Sequence, residues 1–251
     1  MRLTVLGCCG TYPSAGGACS GYLLSHDGFS LWIDAGSGTL AHLQRHTQIA
    51  GIDAVAISHM HADHFTDLYP FLYALEFGPG RDDAVPVYGP KDGPEIFGRL
   101  LGDDSRGVFP KIFDWNGLAP GEEADIGPFR LRTFPAAHSI ENLTMRIEAG
   151  GAVLCYSGDT GPNASLVPAA RGADLFLCEA SWQDGEDSIA EPIHMTARQA
   201  GRAAAEAGAG RLVLTHIWPH YDLERSVEQA AEEFDGIVEP AHTAGSWTIG
   251  A

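Results

Sequence analysis

Ala54-Val55-Ala56-Ile57-Ser58-His59-Met60-His61-Ala62-Asp63-His64 decides how this chain is read. Five residues of strand-like apolar character run directly into three imidazoles and a carboxylate packed within six positions. Neutral imidazole and carboxylate are the ligands that borderline divalent metals such as zinc take. On an extended backbone His59 and His61, two apart, point the same way. Asp63 and His64 follow as the chain turns toward a helix, and they face a second position. One ion does not need four ligands this close together, so the stretch predicts a metal-binding loop that serves two positions.

Three further residues share the setting of an apolar run that ends in a ligand. His138 follows the run ending at Pro135, Asp159 follows Val153-Leu154-Cys155-Tyr156-Ser157-Gly158, and His216 follows Leu212-Val213-Leu214-Thr215. A loop at a strand end presents its side chain at the edge of a sheet, where sites are commonly built. Taken singly, none of the three is decided by that placement. Of the remaining histidines, His42 and His46 lie four apart on an expected helix, but nothing nearby completes a site, so an exposed pair is expected. His26 and His242 read as surface or packing residues. Trp182, His220 and Tyr221 flank candidate ligands and are open to either lining the mouth of a site or packing.

Working outward, Leu3–Gly7, Gly21–Ser25, Leu31–Asp34 and Ala54–Ser58 read as strands bounded by Gly, Asp or Ser. Helices are expected at Leu68–Phe77, with Pro70 in its first turn, at Ala197–Ala207 and at Leu223–Phe234. Thr196 and Gln199 form a capping-box pattern, and Gly208 is the stop. Further strands are expected near Val85–Tyr88, Arg130–Pro135, Leu143–Ile147, Val153–Ser157, Leu175–Cys178 and Leu212–Thr215. An early antiparallel-looking cluster and a later alternation of strands with helices predict an α/β fold with two mixed sheets flanked by helices, as one domain over residues 1–251.

With 15 Lys and Arg against 33 Asp and Glu, the formal charge of the 251-residue chain is −18. Proteins that track phosphate backbones recruit clustered Lys and Arg, and no such cluster occurs, so long nucleic acid is not an expected partner. No apolar run approaches the ~20 residues of a membrane span, and the opening Met1–Gly7 carries no cleavage pattern, which predicts a cytoplasmic protein away from membranes. The five cysteines are an odd, scattered set and are expected to be reduced, buried thiols.

The chain resembles the metallo-β-lactamase fold superfamily, whose HxHxDH motif is followed by a distant His, a bridging Asp and a final His. His59, His61, Asp63, His64, His138, Asp159 and His216 match that pattern in order across nearly the whole chain, and Asp34 in Ile33-Asp34-Ala35-Gly36 matches the acidic residue before the motif. The resemblance implies an αββα four-layer sandwich of the metallo-β-lactamase type. It also implies two divalent metal ions, Zn²⁺ or alternatively Mn²⁺ or Fe²⁺. His59, His61 and His138 would hold one, Asp63, His64 and His216 the other, with Asp159 between them and Asp34 orienting the loop without binding metal.

Within the superfamily, true β-lactamases put a Cys on the second metal, whereas the bridging position here is Asp159 and the nearest Cys, Cys155, lies on the strand before it. Cys178-Glu179-Ala180-Ser181-Trp182 and His194-Met195-Thr196-Ala197 look like the Glu and His motifs of the ribonuclease Z and phosphodiesterase branch. There the His, held by the Glu, protonates the leaving oxygen, and expelling an alkoxide at neutral pH needs such a positioned acid. Ribonuclease Z carries a protruding RNA-gripping arm between the third His and the bridging Asp, but His138 and Asp159 are only 21 positions apart. The remaining similarity is to compact bacterial atypical class II cyclic-nucleotide phosphodiesterases, through Leu6-Gly7-Cys8, Tyr156-Ser157-Gly158-Asp159-Thr160-Gly161 and Leu214-Thr215-His216-Ile217. The expectation is a two-metal hydrolase cleaving a small anionic phosphodiester, such as a cyclic nucleotide, by a metal-bridging hydroxide. Asp63, Glu179 and His194 form its catalytic set, with His194 as general acid, and a homodimer is compatible with it. A lactonase or thioesterase on the same centre is the alternative, followed by a ribonuclease Z-like RNA-processing enzyme.

Overall fold

The computed structural model describes residues 1–78, 81–102, 106–185 and 192–250. Among these, the strands in chain order are β1 (Arg2–Gly7), β2 (Gly21–His26), β3 (Phe29–Ile33), β4 (Ala54–Ala56), β5 (Val85–Pro90), β6 (Phe113–Leu118), β7 (Glu123–Ile126), β8 (Phe129–Pro135), β9 (Leu143–Ala149), β10 (Ala152–Tyr156), β11 (Leu175–Glu179), β12 (Arg211–Thr215), β13 (Ile237–Pro240) and β14 (Ser246–Thr248). They form two seven-stranded sheets, ordered β14-β1-β2-β3-β4-β5-β6 and β13-β12-β11-β10-β9-β8-β7. The first is antiparallel from β14 to β3 and parallel from β3 to β6. The second repeats the plan, antiparallel from β7 to β10 and parallel from β10 to β13.

Side-chain alternation explains the layers, because successive residues of a strand face opposite sides. Leu24, Leu31, Ile33, Ala54 and Ala56 of the first sheet meet Leu131, Met145, Ile147, Leu154, Tyr156 and Leu177 of the second in a core between the sheets. Their neighbours Leu23, Trp32 and Val55 point outward and pack with Phe71, Leu72 and Leu75 of the helix Leu68–Phe77. On the far side, Cys155, Phe176, Cys178, Leu212 and Leu214 pack under Ala200 and Ala204 of the helix Ala197–Ala207. The result is the predicted αββα sandwich with two mixed sheets.

Local chemistry accounts for most element ends. Asp27 and Gly28, both at positive φ, make the two-residue turn between β2 and β3, the conformation that matches the twist of a hairpin. Thr196 and Gln199 complete the predicted capping box, and Gly208 ends that helix at φ 63°. Gly201 faces the neighbouring helix Leu223–Ala231, where a Cβ would stand 2.2 Å from the Ala230 carbonyl oxygen.

Several expectations need correction. The helix expected to reach Phe234 ends at Ala231, and Phe234 turns back into the core. The strand expected through Asp34 stops at Ile33 because Asp34 adopts φ 53°. The helix carrying His42 covers only Thr39–Leu43, so His46 lies beyond it; His42 is buried, with Nδ1 2.6 Å from the Leu6 carbonyl oxygen, and no exposed pair forms. All five cysteines are free, but only Cys19, Cys155 and Cys178 are buried, while Cys8 and Cys9 are partly exposed. The short strands β6, β7, β13 and β14 are not among the expected strands, since none contains a run of more than two consecutive apolar residues. No helix among the described residues is long and apolar enough to cross a membrane.

Candidate metal centre

The predicted ligands, with Asp34 and Glu179, lie at or beyond strand ends on one rim of the sandwich. Asp34 follows β3, the His59–His64 loop follows β4, Asp159 follows β10, Glu179 ends β11 and His216 follows β12. Each of these strands is parallel to at least one neighbour, and the carboxyl ends of parallel strands are where open α/β sheets place their sites. His138 arrives from the end of β8. One sheet contributes His59, His61, Asp63 and His64, the other His138, Asp159 and His216.

Among the described residues three groups of donor atoms result, each with its members within 4.8 Å of one another: His59, His61, His138 and Asp159 in the first, Asp63, His64, Asp159 and His216 in the second, and Glu179, His194 and His216 in the third. Asp159 belongs to the first two. His61 Nδ1 and His138 Nε2 converge to 2.9 Å. His59 Nε2 lies 3.7 Å from Asp159 Oδ2 and His64 Nε2 lies 3.3 Å from Asp159 Oδ1. His216 Nε2 is 3.2 Å from Asp63 Oδ2 and 3.3 Å from Asp159 Oδ2. His59 Nε2, His64 Nε2 and Asp159 Oδ1 are buried without any hydrogen-bond partner. Orphaned polar atoms are rare in a packed interior, and these three all belong to the two donor groups that share Asp159. The donor set therefore fits divalent cations.

For the first group of donors the electrostatics agree. Burial, together with neighbouring imidazoles, holds the ring of His59 well below its ordinary pKa, and His61 and His138 are lowered in the same way. A neutral imidazole is the form that ligates. Burial opposes ionisation of Asp159 and Asp63, yet the imidazoles of His64 and His216 outweigh it and hold both carboxyls below the usual range. Burial likewise opposes a charge on His64, and the carboxylates of Asp159 and Asp63 overcome it.

Outer partners fix the ligands. Asp34, fully buried, accepts the Ser58 backbone N–H at 2.7 Å on Oδ1, and on Oδ2 the Ser58 hydroxyl at 2.8 Å, His64 Nδ1 at 2.8 Å and the Tyr156 hydroxyl at 2.7 Å. Holding His64 by Nδ1 turns its Nε2 toward the cluster. The Thr11 backbone N–H donates to Asp63 Oδ2 at 3.0 Å, and the Asn142 side-chain amide donates to the Asp159 carbonyl at 2.6 Å. Asp34, His216 and Thr11 all sit at positive φ. That region is strained for non-glycine residues and tends to cluster at functional sites.

Beside the second group stands the predicted pair. Glu179 Oε1 accepts from His194 Nδ1 at 2.9 Å and from the Thr160 N–H at 2.6 Å. Its Oε2 accepts from the Ser181 hydroxyl at 2.7 Å and from the Ser181 and Met195 N–H groups at 3.2 Å each. Burial alone would lower the pKa of His194, but the charge and hydrogen bond of Glu179 reverse this and raise it to about 9. The His194 ring stacks on His216 with centroids 5.5 Å apart and meets His138 at 5.1 Å. Trp182 is buried and packs edge-on against His194 at 5.4 Å. His220 is exposed, hydrogen-bonded through Nδ1 to the Tyr12 hydroxyl at 3.3 Å and tilted against Tyr221.

Sequence reading missed Ser58, Tyr156, Asn142, Thr160, Ser181 and the Thr11 amide. Ser58 and Ser181 lie inside motifs already recognised, yet a hydroxyl next to a ligand carries no spacing signal of its own. Tyr156 and Asn142 act across 122 and 17 positions respectively, and only folding brings them in.

A family model described as "Beta-lactamase superfamily domain" matches residues 30–217. A protein of Mycobacterium leprae (strain TN), described only as uncharacterized, is 37% identical over 261 residues, covering 100% of this chain and 89% of the relative. The "probable metallo-hydrolase YhfI" of Bacillus subtilis (strain 168) is 32% identical over 98% of this chain and 99% of its own. The crystal structure of that metallo-beta-lactamase fold protein superposes with a TM-score of 0.89 over 98% and 99% of the two chains, at 31% identity. "Ribonuclease Z" of Myxococcus xanthus (strain DK1622) is 31% identical over 293 aligned residues, covering 96% of this chain and 95% of the relative.

Proposed function

This chain belongs to the beta-lactamase superfamily domain family, and from that membership we propose that it is a metal-dependent hydrolase acting on a small phosphodiester, with a cyclic nucleotide as the substrate class. His59, His61, His138 and Asp159 would hold one divalent cation, and Asp63, His64, His216 and Asp159 the other, with zinc as the proposed metal and Mn²⁺ or Fe²⁺ as alternatives. Bound there, divalent cations supply Lewis acidity that offsets phosphoryl charge and acidifies water.

The observation that carries the reading is the Glu179–His194 pair set against the ligand cluster. Hydrolysis of a thioester expels a thiolate that needs little help, whereas a phosphodiester of two alcohols expels an alkoxide, as a lactone also does. His194, charged at neutral pH through Glu179, stands where it can hand a proton to that departing oxygen. Asp34 and Ser181 hold the ligand rings still while this occurs.

Substrate size follows from charge and shape. A chain of net charge −18 repels an extended polyanion, while cations in one rim site give a single focused attraction for a compact monoanion. The interval from His138 to Asp159 is taken up by β9 and β10, which pair along their length with a tight reversal between them, so it holds no protruding arm. The Myxococcus relative needs an alignment longer than this chain and so carries inserted segments that this chain lacks. Its similarity still keeps RNA processing as the second reading.

Metal analysis of the purified protein, followed by one panel under the same metal condition, tests the proposal. The panel holds 3′,5′- and 2′,3′-cyclic nucleotides, a lactone, a thioester and a precursor RNA. Turnover of the cyclic nucleotides above the rest supports it, and preferential lactone, thioester or RNA cleavage sinks it.

A further inference from the structure

Glu179 supports more than the general acid. The Ser181 hydroxyl lies 2.7 Å from Glu179 Oε2, 2.8 Å from His216 Nδ1 and 3.3 Å from His194 Nδ1, and Ser181, Glu179 and His216 are all buried. A hydroxyl has one proton to give. Its shortest contact is with a carboxylate, which can only accept, so the proton goes to Glu179 and the Ser181 oxygen is left as an acceptor. The group facing that oxygen at 2.8 Å is His216 Nδ1, which must then carry the hydrogen. His194 Nδ1 gives its own hydrogen to Glu179 Oε1 at 2.9 Å.

The consequence falls on the other nitrogen of His216. Its Nε2 faces Asp63 Oδ2 at 3.2 Å and Asp159 Oδ2 at 3.3 Å, with the His64 ring 5.1 Å away and the His194 ring 5.5 Å away. With its hydrogen on Nδ1 and given to Ser181, the ring is turned so that Nε2 is directed at Asp63 and Asp159.

We propose that Ser181 is a positioning residue which, oriented by Glu179, locks His216 in its Nδ1–H tautomer and so prepares the Asp63–His64–His216 site for a divalent cation. One carboxylate then orients two imidazoles, His194 directly and His216 through the Ser181 hydroxyl. This rests on the metal-centre reading above, but the proton position does not depend on it.

Two measurements on the full chain test it. Nitrogen-15 spectra of histidine-labelled, metal-free protein report each ring nitrogen directly. The wild type is expected to show His216 protonated at Nδ1, Ser181→Ala to lose that signature, and Ser181→Thr to keep it. An Nδ1 that reads as unprotonated in the wild type overturns the proposal whatever the metal does. Zn²⁺ titration against a competing chelator supplies the second readout, with no substrate present. Ser181→Ala should keep one tight ion and weaken the other by about 10–100-fold, the usual effect of losing an outer partner of a ligand. Ser181→Thr should recover wild-type binding to within a few fold, which separates loss of the hydroxyl from a folding defect. Equal affinity at both positions in Ser181→Ala and wild type also overturns it. If the wild type binds no divalent ion at all, the metal reading fails while the nitrogen-15 result still decides the role of Ser181.

Discussion

The phenolic hydroxyl of Tyr156, at the end of β10, lies 2.7 Å from Oδ2 of Asp34, just past β3, so the two sheets are tied together directly beneath the ligand cluster. The same carboxylate oxygen receives His64 Nδ1. A contact between sheets and the orientation of a ligand therefore meet on one atom.

Separating the two roles is feasible. Tyr156→Phe removes one donor from a buried carboxylate that keeps three others, and should lower unfolding stability by about 1.5–3 kcal/mol, the range for hydrogen bonds to charged groups. Asp34→Ala frees the His64 ring and should weaken metal binding by about 10–100-fold. Denaturant melts and chelator competition read the two effects, and a Tyr156→Phe protein as stable as wild type would count against the tie.

His194→Ala should slow hydrolysis of a substrate with an alkoxide leaving group by about 10²–10⁴-fold, the usual range for a general acid. The same variant acting on a p-nitrophenyl phosphodiester should lose far less, because that leaving group departs without a proton. Equal losses on both substrates, in steady-state kcat, would remove His194 from the acid role.

The charge on His194 has a defined direction with pH. Its pKa rises from an ordinary 6.5 to about 9 because Glu179 outweighs burial, so in the metal-free protein the ring stays protonated through neutrality and discharges as pH climbs past about 9. The stabilisation from the pair is complete below about 6.5 and is lost as pH rises through about 9. In Glu179→Gln the main group that opposes burial is gone and only Asp159 still favours the charged ring, so the titration should move down from about 9. Imidazole shifts followed by nuclear magnetic resonance check both statements.

Gly201→Ala should destabilise the protein even though alanine is the better helix former by about 1 kcal/mol. The added Cβ would stand 2.2 Å from the Ala230 carbonyl, so the helices Ala197–Ala207 and Leu223–Ala231 must separate, and overpacking of that kind costs about 1–3 kcal/mol. A melting temperature at or above wild type would show that the helix pair yields easily.

By itself the sequence determined what depends on neighbours along the chain. The run into His59-Met60-His61-Ala62-Asp63-His64 sets strand, loop and ligand chemistry within eleven residues, and Thr196 and Gln199 cap their helix. The fold followed from these local signals and from the family pattern they complete. Tertiary structure decided what depends on a proton or a contact carried across the chain. His42, which reads as exposed, is buried because its Nδ1 finds the Leu6 carbonyl 36 positions away. Which nitrogen of His216 holds hydrogen depends on Ser181, 35 positions earlier. The hold on His64 depends on Asp34, which is joined in turn to Tyr156 on the opposite sheet. Residue type and spacing announce a ligand, but its tautomer and aim belong to hydrogen-bond partners that only the packed sandwich brings within reach.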